Sequence, residues 1–194
     1  MCQAVDANSK RKESAMTTWF DLTQPTEMDL LVGTYDLTGY VKYCRTVPTR
    51  TVFELLAGYF DFTGGIIADA GGRFVKAIGD HGLTAFQAEN ADWGVQAHLD
   101  VQKRGNTWLK ENDYPGHARI GLSLGSVTCG PLGAPGQAHF DIIGSNVNIA
   151  ITMDTEGFAM TPAVFRALEP ETRKLFKKHT PPITYIAQTD KHQT

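Results

Sequence analysis

Residues 73–87, Arg73-Phe74-Val75-Lys76-Ala77-Ile78-Gly79-Asp80-His81-Gly82-Leu83-Thr84-Ala85-Phe86-Gln87, decide the fold. They read as two short strands, 73–78 and 83–87, joined across Gly79-Asp80-His81-Gly82, a hairpin signal. Upstream, Leu30-Leu31-Val32-Gly33-Thr34-Tyr35 reads as a strand that ends at Asp36-Leu37-Thr38-Gly39. Residues 40–46 fit one short helix stopped before Pro48. Thr51 and Glu54 fit a capping box, behind which Phe53, Leu56, Phe60 and Ile67 recur at helical spacing until Gly71-Gly72. Downstream, 91–111 reads as a helix with Ala97, Val101, Gly105 and Trp108 on one face, and 117–125 alternates with Ala118, Ile120, Leu122 and Leu124 inward. The order is strand, helix, strand, strand, helix, strand. That is an α+β fold with a ferredoxin-like split βαβ core, an antiparallel sheet with helices packed on one side.

Further strands are expected at 126–130 and 138–142, around the Gly/Pro-rich stretch 132–136. A helix capped by Ser145 and stopped at Gly157, a short helix at 162–168 and a last strand at 183–187 supply the extra C-terminal strands and helices. Residues 1–28 differ from the rest: a basic Lys10-Arg11-Lys12 cluster, many small polar residues, and only Trp19, Phe20 and Leu22 as bulky apolar groups. They read as a partly disordered tail whose aromatic pair docks on the domain at 29–190.

With 194 residues, 42% of them hydrophobic, the chain buries a core without a metal or disulfide staple. Cys2, Cys44 and Cys129 are odd in number and lack CxxC spacing, against a disulfide frame or a structural zinc site. Eighteen basic against 21 acidic residues give no basic footprint for nucleic acid. No apolar run approaches the roughly 18 residues of a membrane span, and no signal-peptide core is visible, so the expectation is a cytoplasmic protein. Gly121-Leu122-Ser123-Leu124-Gly125 matches the GxSxG nucleophile elbow, but that motif needs a strand-to-helix turn and these glycines lie in or between strands. No P-loop occurs, and the six histidines show no metal-like spacing.

Asp36 and Asp80 each sit at a strand end, where aspartate is common for local hydrogen bonding alone. In a split βαβ sheet, however, the first strand and the hairpin are neighbours, so the two carboxylates converge in a way that suits Mg²⁺. Lys76 shares a strand face with Phe74 and Ile78: either a snorkelling edge lysine or a donor aimed at an acceptor such as Asp141. Arg119 shares a face with Gly121, Ser123 and Gly125, whose small size leaves room for something bulky; arginine suits phosphate, and an ordinary salt bridge explains it nearly as well. Asn148 and Thr152 lie one helical turn apart and point the same way, although Asn148, in a helix with apolar Val147 and Ile151, also reads as a plain exposed polar position.

Four segments in order, Asp36-Leu-Thr-Gly-Tyr, Val75-Lys76-Ala-Ile-Gly-Asp80, Ala118-Arg119-Ile-Gly-Leu-Ser-Leu-Gly and Phe140-Asp141-Ile-Ile-Gly-Ser-Asn-Val-Asn148-Ile-Ala, resemble the signature segments of class III nucleotidyl cyclases. The resemblance implies an adenylate cyclase that makes 3′,5′-cyclic AMP and pyrophosphate from ATP in a homodimer, with active sites between two cyclase domains. Asp36 and Asp80 match the metal-binding aspartates, which hold two Mg²⁺ or Mn²⁺ ions per site. Lys76 and Asp141 match the purine-selecting pair, supplied by the other subunit. Asn148 matches the ribose-positioning asparagine and Arg119 an arginine near the triphosphate. Relatives carry an arginine one turn after the asparagine, where this chain has Thr152. The triphosphate lysine of relatives falls at Lys177 or, as assigned here, Lys178, in a segment without the usual glycine. These departures leave one alternative, a catalytically impaired domain that binds nucleotide or pairs with an arginine-bearing cyclase domain; a further alternative, against which the Lys76/Asp141 pair argues, is a cyclase making cyclic GMP or a cyclic pyrimidine nucleotide. No membrane or nucleic-acid partner is expected.

Overall fold

The computed structural model describes residue 19, residues 22–180 and residues 182–190. The basic cluster expected in the tail, Cys2 and Phe20 lie outside the described residues. Strands β1 (Thr26–Leu37), β2 (Arg73–Ile78), β3 (His81–Gln87), β4 (Ala118–Leu132), β6 (Phe158–Met160), β8 (Thr184–Ala187) and β7 (Phe176–His179) form one sheet in the order β2-β3-β1-β4-β6-β8-β7, and β5 (His139–Ile143) pairs with β4. All pairs are antiparallel except β4–β6. The helices are α1 (Tyr40–Tyr43), α2 (Thr49–Asp69), α3 (Ala91–Glu111), α4 (Ser145–Ile151), α5 (Pro162–Ala167) and α6 (Pro170–Arg173). The expected α+β core, β1-α2-β2-β3-α3-β4, is present with the expected neighbours.

Alternation along β1 divides the interior in two. Leu31, Tyr35 and Leu37, with Phe86, Ile120 and Leu122, face the long helices α2 and α3, which present Tyr59, Ile67, Val95, Val101 and Leu109. Leu30 and Val32 point the other way, where Leu83, Val127, Cys129 and Ile142 meet Val147 and Ala150 of α4. Trp19 is buried there, edge-on to Phe140 with ring centroids 5.8 Å apart. β1 already begins at Thr26, so the boundary between 28 and 29 falls inside a strand. Asp36, one step past Tyr35, opens onto this second face.

Several expectations need correction. Helix α2 starts at Thr49, because extended Pro48 accepts the first helical hydrogen bond from Val52 N–H (3.2 Å). Glu54 therefore accepts from Arg50 (2.8 Å) and does not close a capping box. Its buried face is Val52, Leu55, Tyr59, Thr63, Ile66 and Ile67, while Phe53 is 73% exposed. Apolar residues surround this helix, so spacing alone does not choose the inward side. By length and composition α2, with 21 residues and a mean hydropathy of 1.2, also reaches the threshold of a membrane span, which the sequence reading did not register; here one side packs on α3 and the sheet.

Residues 118–132 form one strand where two were expected. Helix α4 ends at Ile151, not Gly157, and Gly144, not Ser145, holds the N-cap position. The Thr152 hydroxyl donates to Asn148 C=O (2.8 Å), and residues 152–157 run as an irregular link to β6, which must lie beside β4.

One buried group makes the fold sensitive to acid. His98 is fully buried between Thr84 Oγ1, 2.8 Å from Nε2, and Gly94 C=O, which accepts from Nδ1–H at 2.6 Å. Burial pushes its pKa down from 6.5 to about 4. Between those values the unfolded chain binds a proton that the folded chain refuses, so stability falls as pH drops through that window. The expected loss from this group is roughly 3 kcal/mol. Urea midpoints between pH 7 and pH 4 measure it, and His98→Gln should flatten the profile by that amount.

Candidate functional site

The β2–β3 turn is shorter than expected. Only Gly79 and Asp80 lie between the strands, with Ile78 opposite His81. Gly79 has φ 60°, the positive value that two-residue hairpins with a leading glycine require. Asp80 is thereby held at the hairpin tip, and its Oδ2 accepts from Leu37 N–H at 3.1 Å. Leu37 follows Asp36, so one backbone amide ties the two carboxylates together.

His81 completes the group. It shares a strand face with Leu83, which pairs with Thr34, and Thr34 shares a face with Asp36. Its Nε2 is 3.9 Å from Asp36 Oδ2 and its Nδ1 is 3.6 Å from Asp80 Oδ1. One potential donor atom from each of Asp36, Asp80 and His81 lies within 4.8 Å of the others. Sequence reasoning passed over this histidine. The signal was strand alternation from Leu83, hidden while His81 was read as part of the turn.

Arg119 pairs with Asp36 across β1 and β4, and its guanidinium donates to Asp36 Oδ2. That hydrogen bond outweighs partial burial and raises the Arg119 pKa still further, so the side chain stays charged. Two carboxylates thus face one guanidinium, an excess negative charge suited to a cation. The field reaches further. Tyr40 is pushed up to about 12, chiefly by burial and then by Cys44, with a contribution from Asp80. Tyr114 is raised by burial first and by Asp80 next.

A cavity of about 310 Å³ opens beside this group, lined by Asp36, His81, Arg119, Gly121, Thr152 and Asp154 among others. Helix α4 forms its far wall because Gly121 has no Cβ: one built there would sit 2.4 Å from Ala150 C=O. The buried Thr34 hydroxyl fastens the same carbonyl at 3.0 Å. Arg119 Nε is buried with no hydrogen-bond partner beside this cavity. Thr152 lines it, whereas Asn148 is exposed on α4 and is not among the lining residues.

Lys76 and Asp141 form the second constellation. The Lys76 ammonium donates to Asp141 Oδ2 at 2.5 Å across 65 residues of sequence, and Asp141 Oδ1 accepts from Ile142 N–H at 2.8 Å. Asp141 is 4% exposed and Lys76 28%. Lys76 does not share a face with Phe74 as expected: a register shift between the two pairs Lys76 with Leu83 and places it on the Asp36 face of the sheet, while Phe74 packs on the helix side; neither Lys76 nor Asp141 lines the cavity. On β7 the two lysines alternate. Lys177 donates to the carbonyls of Gln188 (3.3 Å) and Asp190 (2.9 Å), leaving the exposed Lys178 as the lysine not tied to them.

The chain matches the family described as the adenylate and guanylate cyclase catalytic domain over residues 31–181. It is 29% identical over 121 residues to an adenylate cyclase of Streptomyces coelicolor, a match covering 62% of this chain and 28% of that protein. The chain therefore spans little more than a quarter of that relative. In fold it is similar to a bacterial light-regulated adenylyl cyclase, with a TM-score of 0.74 at 22% identity over 86% of this chain and 53% of that one. It is also similar to the guanylyl cyclase Cya2, with a TM-score of 0.71 at 18% identity over 83% and 91% of the two chains. The fold is thus shared by enzymes named for different bases.

Proposed function

The chain belongs to the adenylate and guanylate cyclase catalytic domain family, and from that premise we propose that it converts ATP to 3′,5′-cyclic AMP and pyrophosphate at a groove between two copies. The observation that carries this reading is the coexistence of the Asp36–Asp80 group and the Lys76–Asp141 pair on one face of the sheet, in separate places. One copy would supply carboxylates and the other the base-reading pair.

Asp36 and Asp80 would hold two Mg²⁺ or Mn²⁺ ions: they are hard oxygen donors, close together and in excess of local positive charge. When bound, such ions activate a hydroxyl and stabilise a leaving pyrophosphate. In the reaction the ribose 3′-oxygen attacks the α-phosphorus in line, loses its proton, and displaces pyrophosphate. Asn148 orients the ribose. Arg119 offers a planar, permanently charged fork to the triphosphate. Lys178 serves the phosphates from β7, since Lys177 is engaged with two backbone carbonyls.

Adenine presents an acceptor at N1 and a donor at its 6-amino group. Lys76 donates to the first and Asp141 accepts from the second. Guanine reverses both, and each mismatched buried group costs about 1–3 kcal/mol. ATP is therefore the substrate this pair favours over GTP.

Thr152 sets the rate. Its hydroxyl donates to Asn148 C=O and brings no positive charge to the α-phosphate. A missing preorganised donor costs about 10²–10³ in turnover, so Thr152→Arg should raise kcat by about that factor. The test is product formation from each of the four nucleoside triphosphates with Mg²⁺ or Mn²⁺. Cyclic AMP from neither the wild-type chain nor Thr152→Arg would sink the proposal. The engaged Thr152 hydroxyl also favours a second reading, in which a partner domain bearing an arginine completes one composite site. Turnover by the chain alone that disappears in Asp80→Asn excludes that reading.

A further inference from the structure

His81 has no part in the mechanism above, yet it stands between the two carboxylates. Its distances to them, 3.6 and 3.9 Å, lie just beyond hydrogen-bond range. Each falls between the roughly 3.0 Å of neighbouring and the roughly 4.2 Å of opposite donors around a cation with bonds of about 2.1 Å, so one of the two nitrogens can share a cation with the carboxylate it faces. Its two ring nitrogens face different partners. Nε2 faces Asp36 Oδ2 and Nδ1 faces Asp80 Oδ1, so whichever nitrogen binds the cation has a carboxylate oxygen beside it. The residue is held by the sheet, opposite Ile78 and next to an aspartate tied to Leu37 N–H, and its side chain is 45% exposed.

Resting on the reading of Asp36 and Asp80 as a cation site, we propose that His81 is a nitrogen ligand in that site and sets which dication it prefers. Magnesium takes oxygen donors in near-ideal octahedra and gives up water reluctantly. Imidazole is a softer donor, and its contribution grows along the first transition row. An Asp-Asp-His set therefore binds Mn²⁺, and Co²⁺ more so, with an advantage over Mg²⁺ that two carboxylates alone would not give. The histidine discriminates between ions, and the aspartates supply the charge.

Manganese alone, added to the full chain without nucleotide, tests this. Pulsed electron paramagnetic resonance of bound Mn²⁺ should show coupling to a ¹⁴N nucleus, absent in His81→Gln. Mn²⁺ affinity, read from the signal of the free ion, should fall about tenfold in His81→Gln, while competition by Mg²⁺ changes less than about twofold. A histidine that merely shapes the hairpin would weaken both ions alike and give no nitrogen coupling in the wild-type chain. That coupling is read on unaltered protein, so misfolding of a variant does not obscure the answer. Asp36→Asn separates the two readings. If it abolishes Mn²⁺ binding while the wild-type chain lacks nitrogen coupling, only the His81 assignment fails. If Asp36→Asn leaves Mn²⁺ binding intact, or the wild-type chain binds none, the carboxylate site fails and takes His81 with it.

Discussion

Asparagine in place of Asp36 is expected to reduce cyclic AMP formation by about 10³-fold or more while leaving the chain folded. The size follows from the role proposed for the carboxylate: a dication site stabilises developing charge by several kcal/mol, and each 1.36 kcal/mol is a factor of ten in rate. Asparagine keeps the shape but removes the charge, so Asp80 alone is left to balance Arg119 and the excess negative charge is gone. The structural cost is small. The Asp36–Arg119 pair is partly open to water, with 17% and 40% of the two side chains exposed, and such pairs contribute about 1 kcal/mol or less. Asp80→Asn should behave alike, since an amide oxygen still accepts from Leu37 N–H. Activity and urea unfolding on the same samples separate the effects. A variant at Asp36 that keeps a tenth of wild-type turnover would refute the assignment, whereas one that loses activity and fold together would mark a structural residue.

How far the sequence speaks for itself depends on what each residue type is asked to do. The bounds of strand 73–78 were legible from Gly72 and Gly79, and those of helix 91–111 from its long helical spacing, but the register shift between Phe74 and Lys76 broke the alternation expected within the strand. The Lys76–Asp141 contact was legible as a donor seeking an acceptor, although 65 residues separate the partners. β6 and β7 were not, since three or four residues carry too little periodicity to stand out. The end of α4 was missed for a different reason. Met153 to Glu156 would tolerate helix, and only the demand that β6 lie beside β4 pulls the chain straight after Ile151. Alternation from Leu83 gave the face of His81 once the turn was shortened, but its place beside Asp36 required the register of β1 on β3, with Tyr35 opposite Gly82, which tertiary packing sets.

That same packing makes Lys76 the position where folding and base choice separate most clearly. Lys76→Met leaves the Asp141 carboxylate, 4% exposed, without its ammonium partner, while Ile142 N–H still donates to it. Breaking a buried ion pair from one side costs about 3–5 kcal/mol, and the partial exposure of Lys76 places the expected loss at the lower end. Removing both charges in Lys76→Met with Asp141→Leu should restore most of it, because an apolar replacement leaves no uncompensated ion. Selectivity should not follow stability. Each single variant discards one of the two hydrogen bonds proposed to distinguish adenine from guanine, so a kcat/KM preference for ATP over GTP that rests on them should shrink roughly 10- to 100-fold per lost contact. The double variant should be stable, slow and indifferent to the base. Urea midpoints together with kcat/KM for both nucleotides decide the matter. A double variant that regains stability and still prefers ATP would reduce the pair to a structural clasp between β2 and β5, and base reading would have to be sought elsewhere on the sheet.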